Sequence, residues 1–154
     1  MSAPASNTSS WQEMLFIALG VAGLIGTWAQ VFGYLDQGFL GGNIAFWKET
    51  VVTPASTFIV VDIFVLGAAV FVWMFAEGRR LGIGGGWLWT YFLGSALIGI
   101  SCFVPLFLAH RQRVLRRQRP DENVAPAGAG LVAVGLSVLL ALGAVLYSLR
   151  NLPA

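Results

Sequence analysis

Long apolar runs separated by short polar or glycine-rich stretches dominate the chain. Four of them, about Trp11 to Tyr34, Ala55 to Ala76, Trp87 to Ala109 and Leu131 to Leu149, reach the roughly 20 residues that a helix needs to cross a hydrocarbon core. The pattern predicts an all-α integral membrane protein. It reads as four transmembrane helices in a small bundle, one membrane domain over residues 1–154.

Each run carries its own punctuation. The first has Trp11 and Trp28 near its ends, where amphipathic rings favour the interface, and Gly20, Gly23 and Gly26 along one strip that lets a neighbouring helix approach closely. Asp36 to Thr53 mixes Phe39, Phe46 and Trp47 with Lys48 and Glu49 and is too short to span. It reads as an interfacial segment, or alternatively as a mouth over a cavity. Thr53-Pro54 is a helix start, because the hydroxyl caps free amides and proline lacks only a donor that is unused there. The second run ends at Glu77-Gly78-Arg79-Arg80, and Gly82, Gly84, Gly85 and Gly86 make a turn-prone link to the third. In the third, Trp87, Trp89 and Tyr91 crowd the start, Ser95 and Gly99 form a small-residue packing pair, and Pro105 is expected to bend the helix. A basic juxtamembrane extension from His110 follows, then a linker over Pro120 to Gly130. The last run has no charge and offers Ala133, Ser137 and Ala141 as a small-residue face.

Composition agrees with this pattern. Hydrophobic residues make up 57% and charged residues 10%, against about 25% charged in soluble domains. The net charge of +2 is bunched, with Arg111, Arg113, Arg116, Arg117 and Arg119 directly after an apolar run. Together with Arg79 and Arg80, they are placed to meet anionic headgroups or a partner rather than nucleic acid. Met1 to Ser10 contains no Lys or Arg, so the first run reads as a retained helix rather than a signal peptide. Four crossings put Arg79, Arg80 and Arg150 on one side and Lys48 with the five later arginines on the other. The positive-inside rule then places both chain ends outside. The single cysteine, Cys102, supports neither a disulfide framework nor a cysteine metal site.

Several motifs together carry a likeness: Pro54-Ala55-Ser56, Val61-Asp62-Ile63-Phe64-Val65, Glu77-Gly78-Arg79-Arg80-Leu81-Gly82 and Pro105-Leu106-Phe107-Leu108. The segment resembles a family of small bacterial inner-membrane proteins catalogued only as a domain of unknown function. The likeness covers the first three runs and leaves the linker and fourth run as an addition. It implies that Asp62, Glu77, Arg79 and Arg80 belong to a shared core unit, and it brings no activity with it.

Asp62 is the acidic residue embedded deepest in an apolar run. A carboxylate in hydrocarbon costs several kcal/mol, so it is expected to face other helices, with Gln30, Thr27, Ser95 or Ser101 as neutral partners, or to stay protonated; about two turns into the run, it also lies at a depth that hydrated headgroups or Lys48 can reach. Glu77, Arg79 and Arg80 read as a solvated turn, or as a group that pairs internally or grips a lipid phosphate. His110 is the only histidine, so a bis-histidine haem, a histidine-rich metal site and a Ser-His-Asp triad all lack their parts. A lone axial ligand to a chlorophyll-type pigment remains open to it. Gly82 to Gly86 lacks the Lys-Ser or Lys-Thr of a nucleotide loop. No metal or cofactor is required by these residues, although a pigment or bound lipid is compatible with them. The leading expectation is a non-catalytic accessory or structural subunit of a larger membrane complex, such as an electron-transfer or photosynthetic one. The alternative is a small enzyme or carrier for a lipid or isoprenoid, with Asp62 as proton donor or acceptor.

Overall fold

The computed structural model describes residues 8–118 and 129–151. Among them are six α-helices and no strand: α1 (Thr8–Val31), α2 (Gly38–Glu49), α3 (Pro54–Arg80), α4 (Gly85–Gly94), α5 (Ile100–Gln118) and α6 (Ala129–Arg150). A 3-10 stretch, Phe32–Gln37, joins α1 to α2, and a π-helical turn, Ser95–Gly99, joins α4 to α5. Arg119 and most of the expected linker lie outside the described residues.

Local chemistry sets the ends of α3. The Thr53 hydroxyl accepts from the Ser56 amide, and the Ser56 hydroxyl accepts from the Thr53 amide, both at 3.1 Å, with Pro54 at the first helical position. At the other end Gly82 takes a φ of +72°, a conformation that disfavours any side chain, and lets the Ile83 amide reach back to the Gly78 carbonyl at 2.8 Å.

The run expected to be a third span folds back on itself. The Trp87 and His110 ring centroids lie 5.7 Å apart, whereas a straight helix would separate these residues by about 35 Å. Reversal occurs at Ser95–Gly99, before Pro105 rather than at it, and Pro105 sits inside α5. Gly94 permits the close return, since a Cβ there would stand 2.3 Å from the Phe103 ring. Three helical segments, not four, are long and apolar enough to cross a membrane: Trp11–Gln37, Pro54–Arg80 and Gly130–Arg150. Apolar content cannot separate a crossing helix from two shorter arms that bury against each other, and this is why the pattern predicts a span here.

The hairpin packs against both α1 and α3. Met74, Leu81, Ile83, Leu88, Tyr91 and Phe107 form the core where the end of α3 meets the two arms. The glycine strip of α1 splits between two partners. Ideal Cβ atoms on Gly20 and Gly23 would lie 3.1 Å and 2.6 Å from the Cys102 and Ser101 carbonyl oxygens of α5, while one on Gly26 would lie 3.0 Å from Val145 of α6. Trp28, expected as an interfacial anchor, instead donates from Nε1 to the Ile98 carbonyl of the reversal at 2.9 Å. Gln30 Nε2 donates to the carbonyl and hydroxyl of Ser148 at 2.8 and 2.9 Å, and the Ser148 hydroxyl donates to the Gly26 carbonyl.

This arrangement gathers the start of α1, the end of α3 and both ends of the hairpin at one pole, and leaves α2 and the end of α6 at the other. Arg79 and Arg80 therefore share a pole with Arg111 to Arg117. The expected orientation is corrected accordingly: α1 begins and α6 ends at opposite poles, because the hairpin returns to the pole at which it starts.

Candidate functional site

The arginine pole is built on two buried carboxylates. Glu77, in the last turn of α3, accepts from Arg80 through Nε at 2.6 Å and Nη2 at 2.8 Å, and from Arg111 Nε at 2.8 Å. The Arg111 guanidinium also lies 5.9 Å from the centre of the Trp73 ring. The Glu-Gly-Arg-Arg turn is thus a tie between α3 and α5 rather than only a solvated corner, and Arg79 stays exposed outside it.

Glu13 is the second carboxylate, and sequence reasoning missed it. Only 7% exposed, it accepts from Arg113 Nε at 2.8 Å, from Arg113 Nη2, and from Arg116 Nη2 at 2.9 Å. The available signal was an acid at the start of an apolar run opposite an arginine-rich helix end. Four crossings would set Glu13 and Arg113 on opposite faces of a membrane, so only the hairpin makes the pair possible. Four of the arginines read as headgroup ligands, Arg80, Arg111, Arg113 and Arg116, are committed to these two glutamates.

Asp62 lies elsewhere. It occupies the half of α3 farther from the hairpin core, is exposed, and has no hydrogen-bond or ion-pair partner among the described residues. Lys48 makes no ion pair with it, and the expected neutral partners are otherwise placed: Gln30 is taken by Ser148, the Thr27 hydroxyl bonds back to the Gly23 carbonyl at 2.8 Å, and the Ser95 hydroxyl is buried without a partner among the described residues. Ser101 sits against the α1 glycine strip. Around Asp62 the exposed side chains are Phe58, Ile59, Val65 and Leu66. The carboxyl stands about 7.5 Å along the axis from the middle of α3.

His110 closes a cleft at the arginine pole. Its Nδ1 lies 3.0 Å from the Tyr91 hydroxyl, and its ring stands edge-on to Trp87. Burial, with Arg113 and Arg117 adding repulsion, holds its pKa below the usual 6.5. The cleft, about 280 Å3, lies between the Leu81–Gly84 turn and the last turns of α5, with Arg117 on its wall. With Nδ1 engaged, Nε2 is the nitrogen left for any ligand of His110. A second cleft of about 270 Å3 lies beneath α2, between Gln30, Tyr34, Gln37, Phe46 and Glu49. There the Tyr34 hydroxyl donates to Glu49. Among the described residues no group of three His, Cys, Asp or Glu side chains could hold a metal ion.

No curated protein and no solved structure matches the chain. One family model, described as a protein of unknown function, DUF2834, matches residues 15–113, more than half of the sequence. That range holds α1 from Leu15, α2, α3, the hairpin reversal and the Glu77–Arg111 tie, and stops before Arg116, Arg117 and α6. On this match the chain belongs to the DUF2834 family.

Proposed function

We propose that this protein is a non-catalytic membrane subunit that joins a larger complex through the outward face of α3, with Asp62 as its polar contact. One observation carries the reading: an ionisable side chain about two turns into an apolar helix has no hydrogen-bond or ion-pair partner among the described residues. Left in lipid it would cost up to about 3 kcal/mol, the value at a helix centre. A donor on a neighbouring polypeptide removes that cost, and the exposed Phe58, Ile59 and Val65 beside it supply an apolar contact surface. The face of α6 turned away from α1 is exposed and adds a further lipid or partner face. Electron-transfer and photosynthetic complexes suit as partners because they recruit small hydrophobic subunits. In a bacterial inner membrane the arginine pole would be cytoplasmic, since Arg79, Arg80 and Arg111 to Arg117 cluster there.

The alternative, an enzyme or carrier using Asp62 for proton transfer to a lipid or isoprenoid, needs a second polar group at the carboxyl. Among the described residues none is hydrogen-bonded or ion-paired to it, and this favours the assembly reading. The test is native electrophoresis of gently solubilised membranes carrying wild type, Asp62→Asn or Asp62→Leu. The expected result is a high-mass band that Asp62→Leu reduces at least tenfold and Asp62→Asn reduces less. A wild-type protein that migrates alone from its native membrane would refute the reading.

A further inference from the structure

The cleft at the arginine pole has a composition that the assembly reading leaves unused. Among the described arginines of α5, Arg111 is bound to Glu77, and Arg113 and Arg116 are bound to Glu13. Arg117 has no carboxylate partner among the described residues, and it is the arginine that lines the cleft. Among the described residues no acidic side chain lines the cleft with Arg117, so the charge these residues give its wall is positive. His110 faces the same space. In the tautomer in which the Tyr91 hydroxyl donates to Nδ1, the ring proton of a neutral imidazole sits on Nε2, where it can donate to an incoming oxygen. Leu81, Ile83, Trp87 and Val114 complete the wall with apolar surface. Gln118 is already spent on the Leu81 carbonyl at 3.1 Å and holds the cleft's two sides together.

We infer that this cleft binds a phosphate group, gripped by the Arg117 guanidinium and the His110 Nε2 proton, with the apolar wall accepting the group that carries it. Arginine's planar fork matches two phosphate oxygens, and a neutral imidazole adds a donor without first having to gain a proton. The start of α4 opens at Gly84 with no side chain capping it, which adds favourable amide dipoles to a site already defined by the two side chains. The phosphate belongs to a lipid headgroup or to a soluble phosphate compound, and both present the same chemistry to Arg117. This inference goes beyond the assembly reading, involves a different pole of the molecule, and does not depend on Asp62.

Because His110 is the only histidine, its imidazole resonance reports the site in the full-length protein without assignment. The protein is placed in phosphatidylcholine nanodiscs and the resonance is titrated with pH, in chloride and in inorganic phosphate at matched ionic strength. The same titration in phosphatidylglycerol nanodiscs tests the headgroup. A bound phosphate stabilises the imidazolium, so the midpoint is expected to rise by about half a unit or more, saturably with phosphate or in phosphatidylglycerol alone. Arg117→Gln should abolish the rise, Arg117→Lys should keep part of it, and Arg79→Gln, an exposed arginine outside the cleft, should leave it intact. A rise only in phosphatidylglycerol assigns the site to a headgroup, and a rise with inorganic phosphate assigns it to a soluble phosphate. The inference is overturned if neither probe moves the midpoint, or if Arg79→Gln abolishes the rise as fully as Arg117→Gln, since the effect is then general surface potential. Tryptophan fluorescence of each variant confirms the native fold before titration.

Discussion

Replacing Gly23 with alanine tests the contact that seats the hairpin on α1. The new Cβ would stand 2.6 Å from the Ser101 carbonyl oxygen and 3.0 Å from its carbonyl carbon. Both are backbone atoms, so no rotamer change relieves the clash and α1 must move away from α5. That movement loosens the Trp28 bond to Ile98 on one side of Gly23 and the Glu13 pairs on the other. Overpacking of this kind costs about 1–3 kcal/mol, and the helix propensity gained on replacing glycine returns up to about 1 kcal/mol. A clash with backbone atoms falls in the upper part of that range, about 2–3 kcal/mol, so the net loss is about 1–2 kcal/mol, roughly a 5- to 30-fold shift in the folding equilibrium. Gly135 on α6 is the control, because a Cβ there meets nothing within 4 Å. Unfolding by SDS titration in mixed micelles, followed by tryptophan fluorescence, reads both. Gly23→Ala should unfold at lower SDS than wild type and Gly135→Ala should not. If Gly23→Ala unfolds with wild type, the close approach of α1 and α5 is wrong.

Further outcomes follow from the charge ties and the fold of the hairpin. Glu77→Gln leaves Arg111 facing a neutral amide and should destabilise the protein by about 2–3 kcal/mol in the same titration, below the buried-pair range because Arg80 is largely solvated. Double-mutant coupling with Arg111→Gln should then be positive, and purely additive effects would contradict the tie. His110 has a folded pKa below its unfolded value near 6.5, so the unfolded chain binds the extra proton and stability falls as pH drops from about 6.5 toward 5. His110→Phe should flatten that part of a thermal-stability profile, and an unchanged slope would count against a partly buried, neutral imidazole. For topology, single cysteines at Gly84 and Gln118 in a Cys102→Ala background should react with an impermeant maleimide from the same face of oriented vesicles. Labelling from opposite faces would restore four crossings.

The sequence read well where one local rule decides the structure. Thr53 and Pro54 start α3 as expected, Gly82 makes the turn after it, and the glycines of α1 admit close neighbours. It read poorly where a choice between partners is settled in three dimensions. An apolar run with Gly94, Ser95 and Gly99 inside it suits a crossing helix as well as a folded hairpin, and its periodicity does not distinguish them. That single ambiguity carries through the rest. With four crossings, Glu13 and Arg113 stand apart and the arginine cluster reads as a lipid-facing patch. With the hairpin, Glu13 and Glu77 become the buried centres of the pole and Arg117 becomes the side chain left for a ligand. Asp62 could be singled out from composition alone, but its surroundings could not. The polar residues expected to meet it are used for helix contacts of their own, Gln30 with α6 and Thr27 within α1.

The assembly role of α3 is tested most directly by photo-crosslinking in native membranes from a probe at Val65, on the exposed half of the helix beside Asp62. The expected result is a defined adduct with one other membrane polypeptide that disappears with Asp62→Leu, while a probe at Leu88, buried in the hairpin core, gives none. Adducts with lipid alone from Val65, unchanged by Asp62→Leu, would contradict it.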